Sequence, residues 1–327
     1  MAVYTHVTQN ELVQFLKTYE IGELISFSGI TQGVENTNYL IEVGNRATKL
    51  GIQATGSTRY ILTIFEQRVD LQELPFFLAA MNHFSENGVS APRVISSKNN
   101  TSISELKGKP TVIISFLSGK AVMDPGHEHS ACVGDILGVT HNLSDGFTQS
   151  RANRLSIKGW DRLVGLCHDA DRCAPHLREL IDDEFNFLKE HWPNALPLGL
   201  THLDLFPDNV FFENGQVSGI IDFYFAATEA FAYDLAITLS AWSNINGEWR
   251  ENNFRAMLMA YEKQRPLNQN EKDAMPVLLR GAALRFLLTR LYDWLNQVPD
   301  AVVKVKDPLE YRDILLRYRT SAESLFS

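Results

Sequence analysis

The chain has few cysteines, no cluster of basic residues and no long apolar segment. Its 327 residues include three cysteines, an odd number with no CxxC spacing between them. This usage is typical of a reduced compartment rather than of a disulfide scaffold or a zinc site. The net charge is −9 and no run of Lys or Arg occurs, so we expect neither nucleic acid nor an anionic membrane as a partner.

The sequence also lacks the features of membrane and secreted proteins. No apolar run reaches the roughly 18 residues that a membrane-spanning helix needs. The N-terminus has no basic region followed by an apolar core, as a signal peptide would. We therefore expect a soluble protein in the cytoplasm.

The length and the order of the predicted elements indicate two domains. A single hydrophobic core stops growing at roughly 250–300 residues, and 45% hydrophobic residues are ordinary for a globular chain. Residues 1–117 are predicted to form an antiparallel sheet with one inserted helix, and residues 118–327 show mainly helical periodicity. Because hairpins dominate the first part and βαβ repeats are missing, the predicted class is α+β, with a small sheet-based N-lobe and a larger helical C-lobe.

A glycine-containing loop joins the first two predicted strands, residues 24–28 and 38–43. It holds Gly29, Gly33 and Asn36. Strand, glycine-containing loop and strand form the arrangement in which a flexible turn can close over nucleotide phosphates. An ordinary hairpin would have the same pattern, so both interpretations stay open at this point.

The stretch 202–222 is predicted to contain a tight hairpin. Asn214-Gly215 favours a two-residue turn, because such a turn needs positive φ at both central positions. Glu213 then pairs with Gln216, which fixes the register of the two strands.

Counting back along this hairpin brings polar side chains together. The register places Asn209 opposite Ile220, so Asn209 and Asp222 point to the same face, one diagonal step apart. Diagonal neighbours lie roughly 7–8 Å apart, near enough for both side chains to reach one hydrated Mg²⁺. His202-x-Asp204 lies in the loop that enters the same end of the hairpin.

These residue types suit phosphoryl transfer. The reaction needs a group that accepts or orients the proton of the attacking hydroxyl, and Asp204 is the candidate. It also needs hard oxygen ligands for Mg²⁺, for which Asn209 and Asp222 are the candidates. His202 is placed with the catalytic residues, either in proton transfer or in holding the loop by hydrogen bonds.

The spacing of these residues resembles that of a known family. His-x-Asp-x₄-Asn followed by Asp matches the catalytic loop and metal-binding aspartate of the protein kinase-like fold. The chain is similar to the phosphotransferases of the aminoglycoside and choline kinase type, and among them to the bacterial homoserine kinases of that fold. The segments that carry the resemblance are residues 29–39, 60–66, 201–210, 219–223, 233–236 and 285–290.

The resemblance implies an activity and its ligands. ATP would bind in a cleft between the lobes, with the adenine on the backbone of Ser115, Phe116 and Leu117 and the phosphates under the glycine loop. Asp204 would position the hydroxyl of homoserine for attack on the γ-phosphoryl group, giving O-phosphohomoserine on the route to threonine. Mg²⁺ would be the second cofactor.

One position departs from the family pattern. The third strand of most such kinases carries a lysine that pairs with the phosphates and with a helix glutamate, and Thr63 occupies this place. Glu73 is the candidate for the helix glutamate. Arg59, Arg68 or Lys49 could supply the missing positive charge, and the sequence does not choose among them.

The acceptor is predicted to be small. Only twelve residues separate Asp222 from Asp234, which leaves little room for the long segment with which protein kinases bind protein substrates. An amino-acid acceptor needs a cation for its carboxylate and an acid for its ammonium group. The candidate cations are Arg285 and Arg290, the candidate acid is Glu229, and Tyr224 and Trp242 are possible pocket residues.

Two alternatives accompany the homoserine interpretation. The chain could phosphorylate another small hydroxylated metabolite, such as a choline-like alcohol, a hydroxylated amine or an aminoglycoside. A choline-like cation would want an aromatic cage, whereas an amino acid would want an arginine. The chain could also be an inactive module that binds nucleotide without turnover.

Overall fold

A computed structural model describes residues 3–31, 36–44, 57–66, 70–297 and 305–326. The chain divides into two compact units, Met1–Ser118 and Gly119–Ser327. Each unit has its own secondary structure and core, and each is described separately below.

Unit 1 is built on an antiparallel sheet. Within the described residues, six strands pair in the order β1-β2-β3-β6-β4, with β5 paired to β6. Side chains alternate in and out along β2, and its inward face includes Tyr39, Ile41 and Val43. These residues pack in a core with α1, whose N-terminus is closed by a capping box between Thr8 and Glu11. The elements are α1 (Gln9–Leu16), β1 (Glu23–Gly29), β2 (Thr37–Gly44), β3 (Ser57–Ile64), α2 (Leu74–Glu86), β4 (Val94–Ile95), β5 (Ser104–Leu106) and β6 (Lys109–Ser115).

Unit 2 is mainly helical. Its centre is α6, whose residues are all buried, packed against the long helix α8. In the part of the chain that the structure describes, no helix combines the length and the apolar character needed to cross a bilayer. The helices are α3 (His127–Leu143), α4 (Ile157–Leu166), α5 (Leu177–His191), α6 (Phe231–Ser243), α7 (Glu251–Gln264), α8 (Gln269–Leu295) and α9 (Leu309–Ser321).

Unit 2 contains more strand pairing than the sequence indicated. The sequence predicted one hairpin, at 202–222, within otherwise mainly helical residues 118–327. Besides the β9–β10 hairpin, the described residues contain the pairs β7–β9, β8–β11 and β12–β13. The strands are β7 (Lys120–Ala121), β8 (Leu198–Thr201), β9 (Val210–Glu213), β10 (Gln216–Ile220), β11 (Ala227–Ala230), β12 (Asn244–Ile245) and β13 (Glu248–Trp249).

The β9–β10 hairpin has the predicted turn but not the predicted register throughout. Asn214 and Gly215 have φ of 52° and 78°, as a type I′ turn requires. The register then shifts between Val217 and Gly219, so Ile220 pairs with Val210 rather than with Asn209. The extra residue in the bulge moves every later pairing by one position.

The shift changes how the two predicted metal ligands are related. Asn209 lies opposite Ile221, whose N–H donates to the Asn209 carbonyl at 3.0 Å. The next residue, Asp222, has left the strand with φ of 66°. The two ligands are therefore near neighbours at the end of the hairpin, although not on the diagonal that simple counting predicted.

Candidate active site

The loop after β8 has a strained backbone conformation. Two buried charged side chains, Asp234 and Arg285, stabilise it through hydrogen bonds. Leu203 has φ of 62°, a left-handed conformation that costs a non-glycine residue roughly 1–2 kcal/mol. The Asp234 carboxylate accepts the N–H groups of His202 and Leu203, both at 2.8 Å. On the other side, Arg285 Nη1 donates to the Leu203 carbonyl at 2.8 Å. Bonds from both sides thus fix the peptide that precedes Asp204.

Asp234 belongs to a buried chain of hydrogen bonds. His141 Nε2 lies 3.1 Å from Asp234 Oδ2, and His141 Nδ1 lies 2.7 Å from the Tyr261 hydroxyl. Arg265 in turn donates to that hydroxyl and to Glu271. Burial lowers the pKa of His141, so the neutral ring donates from Nε2 and accepts at Nδ1. Burial alone would raise the pKa of Asp234, but its donors outweigh burial and hold the pKa below the ordinary value.

The role of Asp234 was not predicted from the sequence, although a signal was present. It is the sole charged residue in the thirteen-residue helix α6. A charge in an otherwise uncharged, buried helix needs partners inside the protein, because burying it alone is costly. Which backbone groups it would bind could not be read from the sequence.

Asp204 and Asn209 are in direct contact. Asn209 Nδ2 donates to the Asp204 carbonyl at 2.8 Å and to its carboxylate at 3.1 Å. Burial raises the pKa of Asp204 to about 6, against the opposing effects of Arg285 and of the Asn209 hydrogen bond. The carboxylate is therefore held in one orientation and can take up a proton close to neutral pH.

The contacts of the His202 side chain are mainly structural. Its Nε2 lies 3.0 Å from the Ile221 carbonyl, and its Nδ1 accepts from the Asp204 N–H at 3.3 Å. The ring packs against Phe223, with 4.8 Å between centroids. Since both nitrogens face backbone groups and burial lowers the pKa of the ring, the contacts favour the holding role over proton transfer. His202 thus ties the Asp204 loop to the residue next to Asp222.

Three of the predicted acceptor residues have partners inside the protein. Arg285 is 1% exposed and binds the Leu203 carbonyl, so it supports the loop instead of facing an acceptor. Trp242 is fully buried and donates to the Leu205 carbonyl at 2.8 Å, so it also lies under the loop. Glu229, on β11, accepts from Asn153 Nδ2 at 2.9 Å.

The other two predicted acceptor residues lie nearer the surface. Tyr224 is part of the short helical turn that follows Asp222 and is partly buried. Arg290 lines a cavity next to the catalytic loop and forms an ion pair with Glu310. Of the predicted acceptor ligands, Arg290 is the one placed at a cavity.

Two of the three predicted loop residues of unit 1, Gly29 and Asn36, lie within the described residues. Gly29 ends β1 opposite Tyr39, and Gly33 lies outside the described residues. Asn36 is buried, and its side-chain oxygen accepts the Glu66 N–H at 3.3 Å.

The predicted adenine segment follows the inner strand of the sheet. The Ser115 N–H donates to the Arg93 carbonyl at 2.8 Å, and Phe116 N–H donates to the Arg59 carbonyl at 3.4 Å. Two of the segment's N–H groups are thus used within unit 1. Leu117 comes directly after them, just beyond the end of β6.

Thr63, at the position of the family's lysine, is bonded within the sheet of unit 1. It is 3% exposed and donates to Asn38 Oδ1 at 2.8 Å. Arg59 lies over the Phe116 ring, 4.0 Å from its centroid, and Glu73 sits just before α2. Lys49 and Arg68 lie outside the described residues.

An ion pair in unit 1 was not predicted. Lys109 pairs with Glu66, which also accepts from Thr5 and Thr37. The pair joins the start of β6 to the residues just after β3. The alternation of apolar residues that predicted these strands gives no information about an ion pair between the ends of two neighbouring strands.

Comparison with known proteins identifies the family of this chain and relatives whose function is named. Residues 26–267 match the model of the phosphotransferase enzyme family. The chain is 46% identical to a homoserine kinase of Methylobacterium sp. (strain 4-46), over 99% of this chain and 98% of that protein. It is 45% identical to a homoserine kinase of Xanthobacter autotrophicus, with the same coverage.

Solved structures with a similar fold include kinases that act on small molecules. A spectinomycin phosphotransferase in complex with ADP and spectinomycin gives a TM-score of 0.69 at 11% identity, over 98% of this chain and 100% of that one. The amicoumacin kinase hAmiN, in complex with AMP-PNP and Ca²⁺, gives 0.65 at 15% identity, over 97% and 94%. At such low identity the likeness shows the fold alone. The predicted α+β, protein kinase-like fold is confirmed.

Proposed function

Because the chain belongs to the phosphotransferase enzyme family, we propose that it is an ATP-dependent homoserine kinase. The observation that carries this function is its 44–46% identity to homoserine kinases over at least 95% of its length. The reaction transfers the γ-phosphoryl group of ATP to the side-chain hydroxyl of homoserine. The products are ADP and O-phosphohomoserine.

Asp204 is the residue to which we assign the hydroxyl group of the acceptor. Its carboxylate would accept the hydrogen bond, and then the proton, of the attacking hydroxyl as the new O–P bond forms. Two features support this role. Asn209 fixes the orientation of the carboxylate, and the Asp234 and Arg285 contacts fix the backbone that carries it.

Asn209 and Asp222 are the residues that we propose to hold Mg²⁺. Since Asn209 Nδ2 faces Asp204, its amide oxygen points away from Asp204. Asp222, which follows the hairpin partner of Asn209, has an exposed side chain. An amide oxygen and a carboxylate are the hard oxygen donors that Mg²⁺ prefers. When bound, Mg²⁺ would neutralise the charge of the nucleotide phosphates.

The nucleotide is assigned to the residues predicted from the sequence. Adenine would bind the backbone of residues 115–117, and the phosphates would bind the loop that begins at Gly29 and ends at Asn36. The neighbouring structures with ADP and AMP-PNP support nucleotide use by this fold. We also place the reaction in the cytoplasm, in keeping with the three free cysteines.

The proposed function is tested by the choice of acceptor. We expect ADP release in a coupled assay with homoserine, and at least tenfold lower kcat/KM with serine, threonine, choline, ethanolamine and an aminoglycoside. Background turnover with homoserine together with phosphorylation of another acceptor would reject the substrate. Background turnover with every acceptor would support an inactive module instead.

The metal assignment predicts a specific defect. Replacing Asp222 with asparagine should raise the Mg²⁺ concentration for half-maximal activity by at least roughly tenfold, because a neutral amide is a weaker ligand for a hard cation. Asp161→Asn, on the exposed side of α4, is the matched control. An unchanged Mg²⁺ dependence in Asp222→Asn would contradict the assignment.

A further inference from the structure

A cavity of about 270 Å³ opens beside the catalytic loop of unit 2. The turn that follows Asp204 contributes Phe206 and Asp208 to its wall. Residues at the end of α8 and the start of α9, among them Arg290 and Tyr311, form the opposite wall. Two lining residues therefore follow the proposed catalytic residue closely in the chain, Phe206 by two positions and Asp208 by four.

Hydrogen bonds join the cavity wall to Asp204. The N–H of Phe206 donates to the Asp204 carbonyl at 2.8 Å. Asn209, the residue after Asp208, donates to the Asp204 carboxylate at 3.1 Å. The wall formed by Phe206 and Asp208 is therefore held next to the segment that carries the Asp204 carboxylate.

Arg290, on the cavity wall, is firmly paired by the protein. Arg290 is 12% exposed, donates to Glu310 at 2.6 Å and to the Asp307 carbonyl at 3.1 Å, and stacks on Tyr311. A ligand could bind Arg290 directly only by displacing these contacts.

Asp208 and Lys306, which also line the cavity, form a more exposed ion pair than Arg290 and Glu310 do. Their closest atoms are 3.4 Å apart, and their side chains are 47% and 60% exposed. Such an exposed, long ion pair contributes little to stability, on the order of 0–1 kcal/mol. It can therefore be opened at low cost by a ligand that offers each partner a new counter-ion.

We infer that Asp208 and Lys306 recognise the zwitterionic end of the amino-acid acceptor. Lys306 binds its α-carboxylate and Asp208 binds its α-ammonium group. This inference rests on the proposed function. A zwitterion inserted between the two side chains replaces one ion pair by two, without adding net charge to the site. The side-chain hydroxyl of the acceptor is then left to extend towards Asp204.

The cavity also argues against the other classes of acceptor. Its volume lies below the roughly 300–1,000 Å³ of sites for drug-sized ligands, which suits an amino acid better than an aminoglycoside. A choline-like cation needs free aromatic faces. Here Lys306 lies 5.6 Å from the Phe206 ring and Arg290 lies 4.5 Å from the Tyr311 ring, so a cation of the protein already lies over each of these two rings.

The inference reassigns the roles given earlier to other residues. Arg285 is committed to the Leu203 carbonyl and Arg290 to Glu310, so Lys306 takes the place of the predicted carboxylate ligand. Glu229 is bound to Asn153, so Asp208 takes the place of the predicted ammonium ligand. Asp208 lies within residues 201–210, which carry the family resemblance, but the spacing of the motif assigns no role to its side chain.

The test pairs each substitution with an acceptor analogue that lacks the matching charge. In Lys306→Gln, KM for homoserine should rise at least about tenfold, as expected for loss of one charge-assisted hydrogen bond. The inhibition constant of 3-aminopropan-1-ol, which lacks the carboxylate, should change less than twofold. In Asp208→Asn, KM for homoserine should rise similarly, whereas the inhibition constant of 4-hydroxybutanoate, which lacks the ammonium group, should not.

Controls separate this inference from the proposed function and from misfolding. The matched surface pair is Lys272 and Glu262, 3.1 Å apart, and Lys272→Gln and Glu262→Gln should leave all constants unchanged. KM for ATP and the thermal unfolding midpoint should stay at wild-type values in every variant. Equal losses with homoserine and both analogues, or no loss with homoserine, would overturn the inference. Failure of the wild-type protein to phosphorylate homoserine would instead overturn the proposed function.

Discussion

Replacing Asp204 with asparagine is expected to lower kcat for homoserine by about 10²- to 10⁴-fold, the usual contribution of a positioned proton acceptor. Asparagine has nearly the same shape and can still accept a hydrogen bond from Asn209. What it cannot do is take a proton from the attacking hydroxyl. The KM for ATP should therefore stay close to wild type while kcat falls.

The same substitution should not destabilise the protein. Burial raises the pKa of Asp204 to about 6, so the native state at pH 8 holds a carboxylate whose ionisation it disfavours relative to the unfolded chain. A neutral amide removes that penalty. We expect the thermal unfolding midpoint of Asp204→Asn to equal or exceed that of the wild type.

Steady-state kinetics and thermal unfolding together decide this prediction. Asp182→Asn makes the same chemical change in an exposed pair with Arg178 on α5 and should alter neither quantity. Wild-type kcat in Asp204→Asn would refute the assigned role. A large fall in the unfolding midpoint would mean that lost activity reports lost structure.

Replacing Asp234 with alanine is expected to lower the free energy of unfolding by about 3–5 kcal/mol, because each buried donor left without its acceptor costs about 1–3 kcal/mol. The change leaves three donors without their acceptor: the N–H groups of His202 and Leu203, and His141 Nε2. None of them can turn to solvent, because all three lie in buried residues. The left-handed conformation of Leu203 also loses one of its two supports.

The effect of Asp234 should depend on pH in a defined direction. Its pKa is held below the ordinary value in the folded state, so its ionised form stabilises the protein fully above the unfolded-state pKa. That contribution is lost as the pH falls through the folded-state pKa. The difference in stability between the wild type and Asp234→Ala should therefore be largest near neutral pH and smaller in acid.

Urea unfolding at several pH values measures this prediction. Asp182→Ala is the surface control and should cost at most about 1 kcal/mol. Asp234→Asn keeps one acceptor oxygen and should fall between the wild type and the alanine variant. A loss below 1 kcal/mol in Asp234→Ala would show that the donors find other partners.

Local signals in the sequence predicted local features of the site. The Asn-Gly turn follows from the rarity of positive φ in other residues, and the His-x-Asp and Asn spacing follows from the chemistry that those side chains perform. The bulge at Ser218 has one local signal, because Gly219 lies inside β10 and an isolated glycine in a strand is typical of a bulge, but the bulge was not predicted. A single extra residue there was enough to make the predicted partner of Asn209 wrong.

Contacts between distant segments were beyond what the sequence could predict. β8 and β11 pair across 25 residues of intervening chain, and each has only four residues. The support of the Asp204 loop comes from Asp234 and Arg285, on two different helices. These interactions depend on how helices pack, which the periodicity of single segments does not specify.

The hydrogen bonds that Asp234 and Arg285 make to Leu203 have a consequence for engineering the acceptor preference of this protein. The groups that fix the loop come from α6 and α8, whereas Asp208 and Lys306 are exposed and contribute little to holding it. Substitutions of Asp208 and Lys306 can therefore be explored with little risk to the conformation of Leu203. This separation makes the acceptor cavity a suitable place for laboratory evolution towards other hydroxylated amino acids, with Asp204, Asp234 and Arg285 left unchanged.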